Sequence, residues 1–198
     1  MKTMQTHLCS MGYEAISVDV PLTLKTMEDA YLVLEEKISK HISNKDIIHL
    51  VGHSTGGLLI RYFINHTKYL DHIGRCVLIA TPNKGTELAD QAMRYSRMFA
   101  KVFKTVESLH TESSDLTIKN INNIEIGAIA GNKCNLILGK LLHGENDGRV
   151  TVDSATYEGV KEFIVLDYGH KDIHHQYHTA EIVRNFLQTG KFYPDEKE

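Results

Sequence analysis

A serine in a glycine-flanked turn is the residue of this sequence best suited to chemistry. The pentapeptide Gly52-His53-Ser54-Thr55-Gly56 follows the apolar run 47–51 and precedes the helix-compatible stretch Leu58–Ile64. The pattern G-x-S-x-G between a strand and a helix predicts a sharp turn that projects the serine hydroxyl above a sheet. Because the partial positive charge of a helix N-terminus stabilises a developing anion there, Ser54 is the predicted nucleophile. The glycines at 52 and 56 are expected to let strand and helix pack closely.

A serine hydroxyl is a weak nucleophile at neutral pH and requires a base, an acid that orients the base, and donors for an oxyanion. With this kind of turn, the acid follows a later strand and the histidine follows the last one. Asp147 lies in the turn-forming segment Asn146-Asp147-Gly148 after the fourth predicted strand, and His170 follows the fifth. The chain order therefore predicts Ser54, Asp147 and His170 as a catalytic triad, with Glu145 as the nearest rival acid.

Strands and helices alternate along the chain, and this alternation predicts a mostly parallel sheet in one three-layer α/β domain covering residues 1–198. Short β-rich apolar runs predict about five strands: Ala15–Val20, Ile47–Val51, Cys76–Ala80, Ile124–Ala130 and Glu162–Leu166. Apolar residues at helical spacing predict helices over 27–42, 88–106 and 182–187, with Thr26 as an N-cap and Gly190 after the last. The long connection 82–123 is a candidate lid or insertion beside the site.

The histidines at 170, 174 and 178 recur every four residues, a spacing that on one helix would resemble a metal site. Zinc sites normally also take ligands from elsewhere, and Gly169-His170 is more typical of a loop than of a helix. We therefore predict no metal here, and the later histidines, His175 included, are expected to face solvent or to support the site.

Composition excludes several classes of protein. With 22 Lys and Arg against 25 Asp and Glu, the net charge is −3, so there is no basic excess to suggest nucleic-acid binding. No apolar run approaches the length needed for stable membrane insertion. Cys9, Cys76 and Cys134 show no metal or redox spacing and are interpreted as buried thiols. Together with the absence of a signal-peptide pattern at Met1, they predict a cytoplasmic protein.

Taken together, these motifs resemble the α/β-hydrolase superfamily, and more narrowly its small bacterial lipase- or esterase-like members. The resemblance is carried by segments in a fixed order between residues 12 and 192: 52–57, 80–86, 144–150, 169–170 and 185–192. It implies Ser54 as nucleophile, His170 as general base and then acid, and Asp147 as its partner. It also implies that Thr55, through its backbone N–H, and His53 belong to the oxyanion and substrate-binding region. The implied substrate is a small-molecule acyl ester, with no cofactor.

The same resemblance implies a further strand, ending in a His-Gly loop that donates the second oxyanion N–H. Residues 1–12 are interpreted as the end of the helix that follows that strand, so the chain is expected to begin one strand late. Three outcomes remain open: the neighbouring strands close up, a partner chain supplies a strand in a homodimer, or the natural protein is longer. Alternative functions are thioester hydrolysis or acyl transfer on the same triad, and a non-catalytic binding or assembly module.

Overall fold

The structure, a computed structural model, describes residues 1–20, 26–42, 47–84, 124–136, 139–140 and 142–194. The predicted helix over 88–106 and nearly all of the candidate lid 82–123 lie outside these residues. The described helices are α1 (Lys2–Ser10), α2 (Met27–Ser39), α3 (Thr55–His66), α4 (Val152–Ala155) and α5 (Tyr177–Thr189). The described strands are β1 (Ile48–His53), β2 (Ile73–Ile79), β3 (Ile126–Gly131) and β4 (Glu162–Leu166). Short 3-10 turns lie at Leu70–His72 and Ile173–His175.

The four described strands form one sheet in the order β1-β2-β3-β4, and every neighbouring pair is parallel. This confirms the predicted α/β class with a parallel sheet. Since all four strands run the same way, the loops that follow them emerge at one edge of the sheet. Ser54 follows β1, Asp147 lies in the connection after β3, and His170 follows β4, so the topology alone gathers them at that edge.

The predicted strand Ala15–Val20 is wrong for the described chain, because residues 13–20 carry no helix or strand. The apolar residues of this segment are nevertheless covered. Tyr13 and Ala15 pack against the apolar cluster that contains α5, whereas Val18 and Val20 pack against the one that contains α2 and α3. The apolar run thus reports that the side chains are covered, but a strand also requires a ladder of backbone hydrogen bonds to a neighbour.

The sheet is covered by helices on both faces, which explains why its strands show so little polar alternation. In β2, Cys76 and Leu78 belong to the cluster formed with α2 and α3, while Val77 and Ile79 belong to the cluster formed with α1 and α5. All four of these side chains are fully buried. The structure is therefore a three-layer sandwich with an apolar core on each face of the sheet.

Local signals set the helix ends as predicted. At the start of α2, Thr26 and Asp29 form a capping box in which each side chain accepts a hydrogen bond from the other's backbone N–H. At the end of α5, Gly190 adopts the left-handed conformation (φ +76°). Of the three thiols expected to be buried, Cys76 is buried and Cys134 is partly exposed, whereas Cys9 is exposed, so that prediction is wrong for Cys9. None of the helices in the described ranges has the length and apolar character needed to cross a bilayer.

Candidate active site

Ser54 occupies a strained turn between β1 and α3. Its backbone has φ +53° and ψ −123°, a conformation that residues other than glycine rarely adopt. The turn is held by two hydrogen bonds: Ser54 N–H donates to Ile79 O over 2.8 Å, and Gly57 N–H donates to Ser54 O over 3.0 Å. Strain of this kind costs on the order of 1–3 kcal/mol and persists only where the surroundings impose it. Here β2 and the first turn of α3 impose it.

Two glycines make this turn possible, and one of them is not the residue that the sequence indicated. A Cβ on Gly52 would lie 2.6 Å from the carbonyl carbon and oxygen of Gly56, so strand and helix approach too closely for any side chain there. A Cβ on Gly57 would overlap with Thr81 Oγ1 and lie 2.8 Å from its Cγ2. A Cβ on Gly56 itself would meet nothing within 4 Å. The expected close approach of the strand at Gly52 to the helix at Gly56 is therefore present, and it depends on the missing side chain of Gly52, while the missing side chain of Gly57 makes room for Thr81.

Asp147 is almost completely buried, at 1% exposure, and its carboxylate is saturated with donors. The backbone N–H groups of Arg149 and Val150 donate to Oδ1 over 2.9 and 2.8 Å. His170 Nδ1 lies 2.8 Å from Oδ2. The rival acid Glu145 is exposed to solvent. Because a buried carboxylate must be matched by donors or by a cation, Asp147 is built to face the imidazole of His170.

His170 joins Asp147 to Ser54. Its Nε2 lies 3.1 Å from Ser54 Oγ, its backbone N–H donates to Asp147 O over 2.9 Å, and the residue is only 3% exposed. Since a carboxylate oxygen can only accept, the ring hydrogen sits on Nδ1 and Nε2 offers a lone pair to the serine hydroxyl. Ser54, His170 and Asp147, which lie far apart in the sequence, are therefore linked by consecutive hydrogen bonds. The His170 ring has the tautomer that a general base requires.

The two residues assigned to the oxyanion and substrate-binding region lie on either side of Ser54. Thr55 is the first residue of α3, so its backbone N–H belongs to the free N-terminal turn of that helix. His53 is the last residue of β1, and its Nε2 lies 2.9 Å from the carbonyl oxygen of His170. The structure thus brings His53 to the backbone of the candidate base.

The surroundings of His53 lower its pKa strongly. Burial, and then the neighbouring His170 and His174, lower the pKa of His53 from 6.5 to about 2. The rings of His53 and His174 lie with their centroids 4.1 Å apart and their planes tilted by 31°, and burial lowers the pKa of His174 to about 4. Both imidazoles are therefore neutral near pH 7.

The histidines spaced by four do not share a helix. His170 lies in a loop, His174 in the 3-10 turn 173–175, and His178 in the first turn of α5. Where the structure describes the chain, no group of three or more His, Cys, Asp or Glu side chains is arranged to hold a metal ion.

A buried arginine beside the site was missed from the sequence. Arg61 on α3 is only 5% exposed, and its Nη1 donates to Asn83 O over 2.6 Å and to Asn83 Oδ1 over 3.2 Å. Its guanidinium lies 4.1 Å above the ring of Tyr157, and Asn83 Nδ2 donates to Ala155 O over 2.7 Å. These contacts fix the loop after β2 at the same edge of the sheet. The only sequence signal was a lone cation inside the apolar stretch Leu58–Ile64.

Solved structures of other proteins share this architecture. The lipase BlEst2 of Bacillus licheniformis in its mature form superposes with a TM-score of 0.63 at 19% identity, over 84% of this chain and 75% of that one. The metagenomic carboxyl esterase MGS0156 superposes with a TM-score of 0.61 at 12% identity, over 86% of this chain and 58% of that one. A lipase-esterase related protein from Clostridium acetobutylicum gives 0.51 at 15% identity, over 89% and 80%. At these identities the likeness shows a shared fold, the α/β-hydrolase fold.

No curated protein matches the sequence significantly. Residues 20–154, well over half of the chain, match the family of PGAP1-like alpha/beta domains. That segment contains β1, β2 and β3, and with them Ser54 and Asp147, whereas His170 lies beyond it. The chain belongs to the PGAP1-like alpha/beta domain family.

Proposed function

We propose that this protein is a serine hydrolase that cleaves small or lipid-like carboxylic esters through Ser54, His170 and Asp147. The observation that carries the proposal is the continuous hydrogen-bond sequence from Ser54 Oγ through the His170 ring to the buried Asp147 carboxylate, at 3.1 and 2.8 Å. The strained backbone of Ser54 supports it, because strain at a non-glycine residue is retained where it positions a reactive group. The shared fold with a lipase and a carboxyl esterase is consistent with this chemistry.

The reaction follows from the geometry in two halves. Ser54 Oγ attacks the ester carbonyl carbon while its proton passes to His170 Nε2, and Asp147 stabilises the resulting imidazolium. The tetrahedral intermediate then collapses, and the alcohol leaves with the proton from Nε2. In the second half, a water molecule gives a proton to Nε2 and attacks the acyl-enzyme. Collapse of this intermediate releases the acid and returns the proton to Ser54.

The oxyanion formed in each half needs hydrogen-bond donors. The backbone N–H of Thr55, at the positive end of the α3 dipole, is the donor we assign. Removing one such donor from an oxyanion hole costs on the order of a hundredfold to a thousandfold in rate. A second donor from outside the described residues would therefore raise the rate strongly without changing the chemistry.

A fluorophosphonate probe tests the proposal directly, because it reacts with a serine only where a base activates the hydroxyl. We expect one covalent label per chain, no label in Ser54→Ala, and normal labelling in the matched control Ser39→Ala. Ser39 is an exposed serine whose hydroxyl bonds only to the backbone of its own helix. Folded wild-type protein that takes up no label would refute the proposal and leave a non-catalytic binding role.

The acyl substrate is tested by comparing hydrolysis of p-nitrophenyl esters of increasing chain length with that of acyl-thioesters. We propose oxygen esters as the substrates, so kcat/KM should be higher for them than for thioesters of the same acyl group. A preference for thioesters, or transfer of the acyl group to an added alcohol in place of water, would assign the triad to a different acyl chemistry.

A further inference from the structure

His53 links the two halves of the candidate site. Its Nε2 lies 2.9 Å from the carbonyl oxygen of His170, a residue 117 positions away in the chain. A carbonyl oxygen can only accept, so Nε2 of His53 carries the hydrogen and the ring is in its Nε2–H tautomer. Because His53 directly precedes Ser54, one side chain connects the nucleophile's turn to the backbone of the base.

The sheet separates the strands that carry Ser54 and His170, so a direct contact between their ends constrains the distance between the two residues. Strands β1 and β4 lie at opposite ends of the described sheet, with β2 and β3 between them. Within the sheet, the distance between Ser54 and His170 is therefore set by the packing of two intervening strands. On its own side, the backbone of His170 is tied only to Asp147, through its N–H. The hydrogen bond from His53 fixes the other backbone group of His170 directly to the end of β1.

The ring of His53 is in turn supported from behind. The ring of His174 lies against it with the centroids 4.1 Å apart and the planes tilted by 31°, and the ring of His175 lies 4.0 Å from that of His174 at a tilt of 40°. His175 reaches α1, where its Nδ1 lies 2.9 Å from Thr3 Oγ1. His7 on the same helix lies with its Nε2 3.2 Å from the backbone oxygen of His175. The two imidazoles of His174 and His175 thus lie behind the ring of His53 and connect it to α1.

The His53 ring stays neutral over the pH range in which a histidine can act as a base. The titratable groups that face His53 are His170, His174 and the amino terminus, and each of them disfavours its protonation. With burial, they lower the pKa of His53 to about 2. The ring therefore does not change charge while His170 exchanges protons, and it cannot replace His170 as the base near neutral pH.

We propose that His53 is a positioning residue for the hydrolase reaction: its Nε2–H holds the His170 carbonyl so that the His170 ring meets Ser54 in reactive geometry. This assignment rests on the proposed function of the triad. It replaces the oxyanion or substrate-binding role that the sequence indicated for His53. A displacement of reacting groups by about 1 Å can cost on the order of a hundredfold in rate, which sets the scale of the effect.

The experiment compares two substitutions that differ in the donor. His53→Leu removes it, and kcat for a p-nitrophenyl ester should fall roughly tenfold to a hundredfold with little change in KM. His53→Gln places an amide N–H near the former Nε2, and it should recover most of that loss. The acid limb of the pH–rate profile should stay in place in both variants, because His53 does not titrate there.

The matched control is His49→Gln, the same change near the other end of β1. His49 is also a partly buried histidine of lowered pKa, mainly through burial, and its Nδ1 accepts from Arg75 N–H over 2.8 Å, far from the triad. Its kcat should equal that of the wild type. A His53→Leu enzyme with wild-type kcat, or an acid limb that moves in both His53 variants, would overturn the inference.

A measurement on the wild-type protein separates this inference from the proposed function. Nitrogen-15 spectra of the histidine rings should show His53 as the neutral Nε2–H tautomer from pH 7 down to pH 5, whether or not the protein is active. A neutral Nδ1–H tautomer would exclude the hydrogen bond even if His53→Leu fails to fold, and protonation of His53 within that range would overturn the neutral state on which the inference relies. If the tautomer is as expected but the wild type neither hydrolyses esters nor takes up the fluorophosphonate, the proposed function fails and the backbone contact stands.

Discussion

Replacing Asp147 by Asn is the sharpest test of the catalytic assignment, because the structure fixes what the new amide must do. Two backbone N–H groups, from Arg149 and Val150, donate to Oδ1 of Asp147. The amide introduced by Asp147→Asn must keep its oxygen there, since turning its NH₂ group toward them would set donors against donors in a site with 1% exposure. The NH₂ group is thereby forced to face His170.

That orientation inverts the tautomer of the base. An amide NH₂ can only donate, so His170 Nδ1 must become the acceptor and the ring hydrogen must move to Nε2, which faces Ser54 at 3.1 Å. A ring with hydrogen on Nε2 cannot take the serine proton. In a serine-protease triad, an acid-to-amide change of this type lowers kcat by about 10⁴, which corresponds to about 5 kcal/mol in the activation barrier. We expect a loss of about 10³–10⁴ in kcat.

The assay is kcat for a p-nitrophenyl ester near pH 7, with thermal unfolding measured in parallel to show that the variant remains folded. Glu145→Gln is the matched control: it makes the same acid-to-amide change two residues away, at an exposed side chain, and should leave kcat unchanged. A folded Asp147→Asn protein that loses less than about tenfold would refute the assignment of Asp147. A large loss in Glu145→Gln instead would transfer the role to that residue.

Two further predictions concern stability. Gly57→Ala should destabilise the fold by about 1–3 kcal/mol, because the new Cβ overlaps with fully buried Thr81. Gly56→Ala should be neutral or stabilising by up to about 1 kcal/mol, since its Cβ meets nothing within 4 Å. Urea unfolding of both variants checks this, and equal unfolding midpoints would contradict the interpretation of the turn. His53 should make the fold acid-sensitive, because its pKa is about 2 in the folded protein and 6.5 for the free side chain. Below about pH 6.5, protons therefore bind preferentially to the unfolded chain, and the stability that is present above that pH is progressively lost. His53 alone should therefore lower the free energy of unfolding by up to about 2 kcal/mol between pH 7 and pH 5, so the fall should be smaller in His53→Gln than in the wild type. Identical pH dependence in the two proteins would show that His53 does not contribute.

Much of the fold could be predicted because its strands are covered on both faces. Fully buried residues on both sides of β2 leave a continuous apolar run, and such runs are visible without knowledge of neighbours. The segment 15–20 shows the limit of this reasoning. Its valines are covered by the cluster of α2 and α3, yet pairing depends on a neighbouring strand, and a pattern within one segment carries no information about that neighbour. The same limit applies to Cys9, whose exposure depends on how α1 is placed and not on its residue type.

For the candidate site too, some features could be predicted from the sequence and others could not. Ser54, Asp147 and His170 could be assigned because each follows a strand of a parallel sheet, and parallel strands present their following loops at one edge. The actual contact of His53 could not, since a side chain at the end of β1 has several directions open to it and only the placement of the His170 loop selects one. Arg61 was missed because a cation in an apolar helix is normally assigned to solvent, and its buried partner Asn83 lies beyond the next strand.

The geometry of the site also explains why its polar groups can be so deeply buried. His170 is 3% exposed, but both its ring nitrogens and both its backbone groups have partners: Asp147 for two of them, Ser54 for the third and His53 for the fourth. Leaving a buried polar group without a partner costs about 1–3 kcal/mol, so these contacts favour the ring orientation that faces Ser54. Each partner therefore lowers the freedom of the same ring, and three of the four contacts come from Ser54 and Asp147, the other two members of the proposed triad. The contact from His53 is the exception: it orders the base without exchanging a proton, and its ring stays neutral while the imidazole beside it changes charge.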